Sequence, residues 1–369
     1  MKFICEKSVL QDAVNTAARA SAAKSPITSL EGLLIEAESS VKITGYDLKK
    51  AIYTKFDADI TEQGKCVVNT KLLSEMIRRL PDGNVMFTVD ETNNAVTIKC
   101  GKSEYNFIGL DIREYPEIPK FDELKSVSMA QGFLKEMIAR TLFAVSKDEI
   151  RPIYTGSLFE IENNQITIVS VDGYRLAVRS AELENAKLEN CSFVVPGFAL
   201  TDIEKICKDD NEPVDISVGE KHISFSIGNT VLITRRLEGD FINYKKSIPE
   251  SFRYEIKFDR SEFIEAIDRV SLMVTEGNGS PVRLTFNDNV IECMSITPIG
   301  KAEDICTCNG FGEGLLIGFN NRYLLDALKA AENDELKICL NTASSPCVIK
   351  AADGSDLFTY MILPVRLHQ

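Results

Sequence analysis

The sequence predicts an α+β chain of three tandem domains with the same topology, and three observations carry that expectation. A Gly-Tyr-x-Leu core occurs twice, in Lys42–Ile52 (KITGYDLKKAI) and Val169–Val178 (VSVDGYRLAV), about one domain length apart. Two segments that close a run of strands echo each other, Phe107–Pro119 (FIGLDIREYPEIP) and Arg236–Pro249 (RLEGDFINYKKSIP). Two amphipathic helices set among short strands recur in residues 1–120, 121–249 and 250–369, which are the expected domains.

In the first domain Ser8-x-x-Gln11 has the form of a capping box, and Leu10, Ala13, Val14 and Ala17 follow at helical spacing. Strands are expected at Gly32–Ala37 and Val41–Thr44. A helix over Thr70–Leu80 presents Leu72, Leu73, Met76, Ile77 and Leu80, and Pro81-Asp82-Gly83 stops it. Strands return at Val85–Val89 and Ala95–Cys100. The second domain has a helix carrying Phe133, Leu134, Met137, Ile138 and Leu142, then strands at Leu158–Ile161, Ile166–Ser170 and Tyr174–Arg179 around an Asp172–Gly173 turn. A helix with Leu200, Ile203 and Ile206 follows Val195-Pro196-Gly197, before strands at Val214–Val218 and Ile223–Ile227. In the third domain a helix begins near Asp259-Arg260-Ser261, strands cover Val282–Phe286 and Val290–Ser295, and Tyr323, Leu324, Ala327, Leu328 and Ala331 mark the second helix. The chain closes on an apolar strand, Phe358–Leu363, followed by Pro364-Val365-Arg366-Leu367. Helices gathered on one face of antiparallel sheet would complete each domain.

Composition narrows the function. The 369 residues are 44% hydrophobic, enough for several cores, and no apolar run is long enough for a bilayer. The start, MKFICEKSVLQDA, turns amphipathic too early for a signal peptide, so a cytoplasmic address and no membrane partner are expected. Ten dispersed cysteines, mostly in strand-like contexts, read as reduced core residues; Cys306-x-Cys308 is too little for a zinc site without further ligands. No metal and no cofactor are expected. His222 and His368 are the two histidines, far apart in sequence, which argues against imidazole chemistry. No P-loop, nucleophile elbow, zinc-protease or dinucleotide motif stands in a productive context, and the glycines of Gly277-Asn278-Gly279 and Gly312-Glu313-Gly314 are explained by turns. An enzyme is therefore not expected. The net charge of −13 argues against a protein that wraps nucleic acid, unless positive charge is confined to one surface.

In VSVDGYRLAV, EGDFINYKKSIP, GFNNRYLLDAL (Gly318–Leu328) and the terminal YMILPVRL, the chain resembles the beta subunits of bacterial DNA polymerase III, the sliding clamps. The resemblance runs over essentially the whole length. It implies the DNA clamp fold, with helices lining a pore and antiparallel sheets outside. It also implies a head-to-tail homodimeric ring around duplex DNA, which acts as a non-catalytic processivity factor for DNA replication. Tyr105 and Phe107 of one subunit would then meet Leu272 and Met273 of another, although the same apolar types also build ordinary cores.

Such a ring reconciles the charge with sequence-independent DNA contact, since only the pore needs to be basic. Lys24, Arg78, Arg79, Lys147, Arg151 and Lys205 are the DNA-binding candidates, drawn from a wider set with Arg19, Lys71, Lys135, Arg140, Lys208, Arg269 and Lys329. A solvated helix face of mixed charge would look alike. Gly197-Phe198 stand where basic residues are common in the family.

The resemblance further implies a pocket for short partner peptides with a Gln and apolar anchors. Its floor would be Val171, Leu176, Ile242, Met361, Leu363 and Val365, and its walls Gly173, Tyr174, Arg175, Pro364 and Arg366, with Ile362 in the same strand. Tyr154, Lys246, Ser247, Asn320, Tyr323, Ser344 and Pro346 would line the rest. The implied partners are the polymerase III alpha subunit, the clamp loader, and other polymerases and repair proteins. The chain departs from the family in Val171 for a usual Thr, Ile242 for a usual Pro, Lys246 for a frequent Arg, and a tail extended to His368-Gln369. A repeat-built scaffold that binds peptides without encircling DNA is the alternative that the residues leave open.

Overall fold

The computed structural model describes residues 1–119, 121, 125–183, 190–274, 281–355 and 357–367. Gly277-Asn278-Gly279 and His368-Gln369 lie outside the described residues. The α-helices are α1 (Lys7–Ala18), α2 (Thr70–Arg79), α3 (Gln131–Ala139), α4 (Gly197–Ile206), α5 (Tyr244–Ser247), α6 (Arg260–Ser271) and α7 (Asn321–Ala330).

Apolar spacing sets the inward face of each helix. In α1 the buried residues are Leu10, Ala13, Val14 and Ala17, the stripe that the sequence predicts. In α2 only Leu73 and Ile77 are buried within the helix, and Leu72 is 40% exposed, so its stripe is narrower than expected. Side-chain caps start four of the described helices, among them α5, where Asn243 Oδ1 accepts from Lys246 N. The Oδ1 of Asn69 accepts from Leu72 N, that of Asp259 from Glu262 N, and that of Asn320 from Arg322 N and Tyr323 N. The capping box expected at Ser8 does not form. Strand Lys2–Glu6 runs directly into α1, Ser8 falls inside the helix, and the Lys7 N–H donates instead to the Gly83 carbonyl.

Contacts divide the chain into two units, Met1–Lys135 with Thr201–Arg236, and Glu136–Leu200 with residues 237 onward. The first unit holds a five-stranded sheet in the order Asp59–Glu62, Lys2–Glu6, Asn84–Asp90, Ala95–Cys100, Ser103–Ile108. It also holds an eight-stranded sheet in which Thr230–Arg235 pairs antiparallel with Lys50–Phe56. Phe3 and Phe87, stacked at 5.1 Å, lie in its core with Leu10, Val14, Leu73 and Ile77. The second unit is one twelve-stranded sheet, joined where Arg175–Glu182 pairs with Phe358–Ile362 and carrying α6 and α7 over a core that includes Phe263, Phe286, Phe319 and Tyr360.

Strands of the second repeat thus enter both units. Lys125–Ala130, Pro213–Val218, His222–Ile227 and Thr230–Arg235 join the eight-stranded sheet, while Gly156–Glu162, Gln165–Val171, Arg175–Glu182 and Cys191–Pro196 join the twelve-stranded one. Backbone hydrogen bonds run across the repeat boundaries, which is why the sequence has no linkers there.

The repetition is visible in small features. Each closing segment makes one isolated antiparallel bridge to the strand before the second helix, at Val67–Leu110, Val194–Leu237 and Gly318–Val365. The Gly-Tyr-x-Leu cores are a different matter. Tyr46 pairs with Ala51 as Val171 pairs with Leu176, so turn 47–49 corresponds to turn 172–174. Leu48, not Gly45, therefore stands where Gly173 does. Gly45 is a strand residue pressed against α1, where an added Cβ would come within 2.1 Å of the Ala17 carbonyl oxygen.

Candidate functional site

The candidate site lies entirely in the second unit, around the Gly173 turn. Asp172 shapes the turn: its Oδ1 accepts from Tyr174 N at 2.9 Å and Arg175 N at 3.0 Å. Gly173 has φ +91°, and a Cβ added there would meet nothing within 4 Å. Open space above this backbone lets a ligand approach it closely. Arg175, largely buried, spreads its guanidinium over three elements. Nε donates to Asp172 Oδ2 at 2.9 Å, Nη1 to Asp326 Oδ2 of α7 at 2.6 Å, and Nη2 to the Phe143 carbonyl at 2.5 Å. Its Cζ lies 4.5 Å from the ring centroid of Tyr323. Tyr174, 62% exposed, stacks on Tyr323 with centroids 6.2 Å apart. Burial first, and then the Asp172 charge, raise the Tyr323 phenol above its ordinary value.

The chain terminus closes on this turn. Leu363 N donates to Tyr174 O at 2.8 Å and Val365 N to Gly318 O at 2.8 Å. Gly318 is required for this path, because a Cβ there would sit 2.9 Å from the Val365 carbonyl oxygen and 2.6 Å from Leu367 Cδ2. Beneath the terminus, Val171, Leu176, Met361, Cys339, Val348 and Tyr244 form one buried apolar cluster, with Ile153, Tyr154, Phe241 and Ile248 packed against it. Tyr154 meets Phe241 edge-on at 5.7 Å. Leu363 and Val365 are each 36% exposed and Ile242 37%, so apolar side chains rise from a buried apolar base.

The structure sorts the expected site residues by their position. Gly173, Tyr174, Leu363, Pro364, Val365 and Arg366 form an accessible surface with Tyr323 and Asn320 of the α7 end. Leu176 is 1% exposed and Met361 8%, so they support this surface from below and do not face solvent. Ile362 is misplaced in the expectation. Strand alternation turns it to the opposite face, into the core with Ala177, Cys347 and Tyr360. Arg175 is likewise a brace behind the turn. Lys246 and Ser247 lie in α5, capped by Asn243, and Ser344 and Pro346 lie in the turn before Cys347–Ala351. Asp172, Phe143, Gly318 and Asp326 are the members that sequence reading missed. The signal for Asp326 was present, as Tyr323 and Asp326 are three apart on one helix face.

The basic candidates also separate. Arg78 and Arg79 both pair with Glu75, at 2.7 and 3.0 Å. Arg19 pairs with Asp202 at 3.8 Å, Lys135 with Asp209 at 2.9 Å, Arg140 with Glu332 at 3.5 Å, and Lys329 with Asp268 at 3.6 Å; Arg269 is bound by Asp304 and Glu265. Lys24, Lys71, Lys147, Lys205 and Lys208 are exposed and have no carboxylate partner among the described residues. Arg151 is exposed, its Cζ 5.8 Å from the Tyr154 ring centroid. Arg19, Lys55, Lys205 and Lys208 line an open cleft of about 650 Å³ in the first unit.

Of the interface candidates, Tyr105 and Phe107 are half-buried on Ser103–Ile108, the edge strand of the five-stranded sheet, and Ile108 is 69% exposed. Leu272 is 84% exposed at the end of α6, and Met273 is half-buried. The strand Gly300–Asn309 pairs along its length with Val290–Thr297. On its other side it meets Tyr254–Asp259 only at Asn309 and Cys308.

Models of the N-terminal, central and C-terminal domains of the DNA polymerase III beta subunit match residues 1–119, 128–243 and 245–366. The chain belongs to the DNA polymerase III beta subunit family. It is 32% identical to the beta sliding clamp of Staphylococcus aureus, over the whole of both chains. Its fold matches the DNA polymerase sliding clamp of Bacillus subtilis at 32% identity with a TM-score of 0.95, again over the whole of both chains. A putative DNA polymerase III beta subunit of Eubacterium rectale matches at 31% identity and 0.94, with the same coverage. Three tandem domains of antiparallel sheet and a few helices, and the function of a sliding clamp, a non-catalytic accessory subunit, follow from this membership. Among the described residues no helix is long and apolar enough to cross a membrane.

Proposed function

We propose that the chain forms a head-to-tail homodimeric ring, helices inward and sheets outward, that encircles duplex DNA in the cytoplasm and tethers peptide-bearing replication and repair proteins. Two sheet edges support the assembly: the edge strand Ser103–Ile108 with Tyr105 and Phe107, and the open side of Gly300–Thr307 beside the exposed Leu272 and the half-buried Met273. Unpaired strand edges flanked by exposed apolar side chains call for a partner strand, and unlike ends that join can close a ring. The unpaired cations Lys24, Lys147, Lys205 and Lys208, with Arg151, suit weak contact with phosphates and not with bases. Arg78 and Arg79, both shared with Glu75, make weaker candidates. Domain boundaries near residues 120 and 249 fit this reading.

The tethering surface is the groove at the Gly173 turn. The observation that carries it is the hydrogen bond from Leu363 N to Tyr174 O, which sets the exposed Tyr174, Leu363 and Val365 over the Val171–Leu176–Met361 base. Pro364 restrains the terminus, so the groove is formed before a ligand arrives. A peptide with apolar anchors and a Gln would bury the anchors and pair with exposed backbone. The polymerase III alpha subunit, the clamp loader, and other polymerases and repair proteins are its partners. The test is titration of such a peptide into the full chain and its Val365→Asp variant by calorimetry. Loss of about tenfold or more in affinity with unchanged oligomeric mass is expected; equal affinity would place the groove elsewhere.

A further inference from the structure

The first unit contains a second copy of the turn-and-brace geometry, with different chemistry on its surface. Asp47 Oδ1 accepts from Lys49 N at 2.9 Å and Lys50 N at 2.8 Å, as Asp172 does from Tyr174 and Arg175. Lys50 binds Asp202 of α4 as Arg175 binds Asp326 of α7, and each aspartate is the sixth residue of its helix. Arg235 N donates to Lys49 O at 3.4 Å as Leu363 N does to Tyr174 O. At the position of Gly173 stands Leu48, 49% exposed with φ +70°, a left-handed conformation that a bulky side chain rarely holds. About half of Leu48 is covered by its surroundings and the rest stands open. The base below is already filled by Tyr46, Ala51 and Leu30, against which Tyr115, Ile27 and Ile118 pack, so no anchor can enter there. Leu48 is a knob where its counterpart is a groove.

Basic residues surround the knob. Lys49 follows Leu48, Arg235 bonds to Lys49, His222 lies in register with Arg235, and Arg236 N donates to Lys221 O at 3.0 Å. Lys49, Lys221 and Arg235 are exposed, Arg236 is half-exposed, and none of the four has a carboxylate partner among the described residues. Against them stand Asp47, whose Oδ1 is held by backbone, and Glu220. Many other cations of this chain of charge −13 are ion-paired, so an unpaired group of four is a distinct local field.

We propose that this surface docks an acidic amphipathic segment of a protein partner, whose apolar side covers Leu48 and whose carboxylates face Lys49, Lys221, Arg235 and Arg236. A nucleic-acid backbone would use the cations but gives the apolar knob no cover. An acidic amphipathic segment satisfies both, and the complementary charges speed its arrival. The surface shares no residue with the Gly173 groove and takes the opposite shape of ligand.

The experiment uses the full chain and a fluorescent synthetic helical peptide with Leu on one face and Glu on the other, followed by anisotropy. Saturable binding that weakens with salt is expected, and a peptide of the same charge with Ser for Leu should bind severalfold more weakly. Lys221→Ser with Arg235→Ser should lower affinity about tenfold. Leu48→Gly should lower it severalfold without lowering the unfolding temperature, because glycine accepts the turn's φ. Val365→Asp in the groove should change nothing. Absence of saturable binding, unaltered affinity in both surface variants, or equal binding of the Ser peptide would overturn the proposal. If the double variant loses binding to duplex DNA and keeps the peptide, the patch is a nucleic-acid contact and the proposal fails.

Discussion

Arg175 donates to Asp326 at 2.6 Å from within the protein, and the pair ties the turn at Gly173 to helix α7. The same guanidinium holds Asp172 and the Phe143 carbonyl. Two charges taken from water cost free energy that is recovered only while every partner is present. Arg175→Ala should therefore destabilise the chain by about 3 kcal/mol and loosen Tyr174 from Tyr323. Asp202→Asn, at the matching brace in the first unit, should act in the same direction. Urea unfolding checks both, with Lys99→Ala as a control that removes the exposed pair with Glu104 and should cost under about 1 kcal/mol. A similar small loss in all three would mean the buried pairs contribute little.

Gly318→Ala should unseat the chain terminus. Its Cβ would oppose the Val365 carbonyl at 2.9 Å, and a backbone atom cannot move aside as a side chain can. Peptide affinity should fall while the cores remain folded, as read by calorimetry beside far-ultraviolet circular dichroism. Gly173→Ala meets no atom within 4 Å and should cost about 1 kcal/mol through its positive φ alone.

Leu272→Asp tests the assembly without threatening the subunit, because the side chain is already 84% exposed. Sedimentation should show a shift from dimer to monomer at micromolar concentration, with the unfolding midpoint of the monomer retained. A dimer of unchanged mass would remove Leu272 from the interface.

His222 should titrate below the ordinary 6.5, held down by burial first and then by Arg235 and Lys221. A depressed histidine leaves the unfolded chain to take up the proton first as pH falls. Its contribution to stability is thus intact above 6.5 and is lost as pH drops through 6.5 toward the lower folded value. Proton NMR can follow it, since the chain has two histidines. Arg235→Ser should move the midpoint upward, and a wild-type midpoint above 6.5 would contradict burial and the two cations as its cause.

Cys5, Cys66, Cys207, Cys293 and Cys306 have thiols pushed up to about 12 by burial, and Cys339 to about 11. At pH 8 they should resist alkylation in the native chain and react on unfolding. Cys191, half-exposed, should label first by peptide mapping. Rapid native labelling of Cys66 would show that its sheet opens.

Periodicity alone determined much of the chain. The α1 stripe, the cap at Asp259, and the strands Gly32–Ala37, Ala95–Cys100 and Val282–Phe286 form at the positions their residues predict, because local spacing and capping chemistry suffice there. The family was also legible, since four motifs in order are specific even where each alone is weak. Tertiary structure decided what those local patterns leave free. Strand pairing split the second repeat between two sheets, and it set the Gly173 turn beside a terminus nearly two hundred residues further along the chain. Alternation within one strand then put Met361 under the groove and Ile362 behind it, although both are equally apolar. The matching Gly-Tyr-x-Leu letters misled for the same reason. A turn is defined by which residues pair across it, and pairing placed Leu48, not Gly45, at the position of Gly173. Sequence carries the propensity of each strand, but register across strands is fixed only when the faces are buried together.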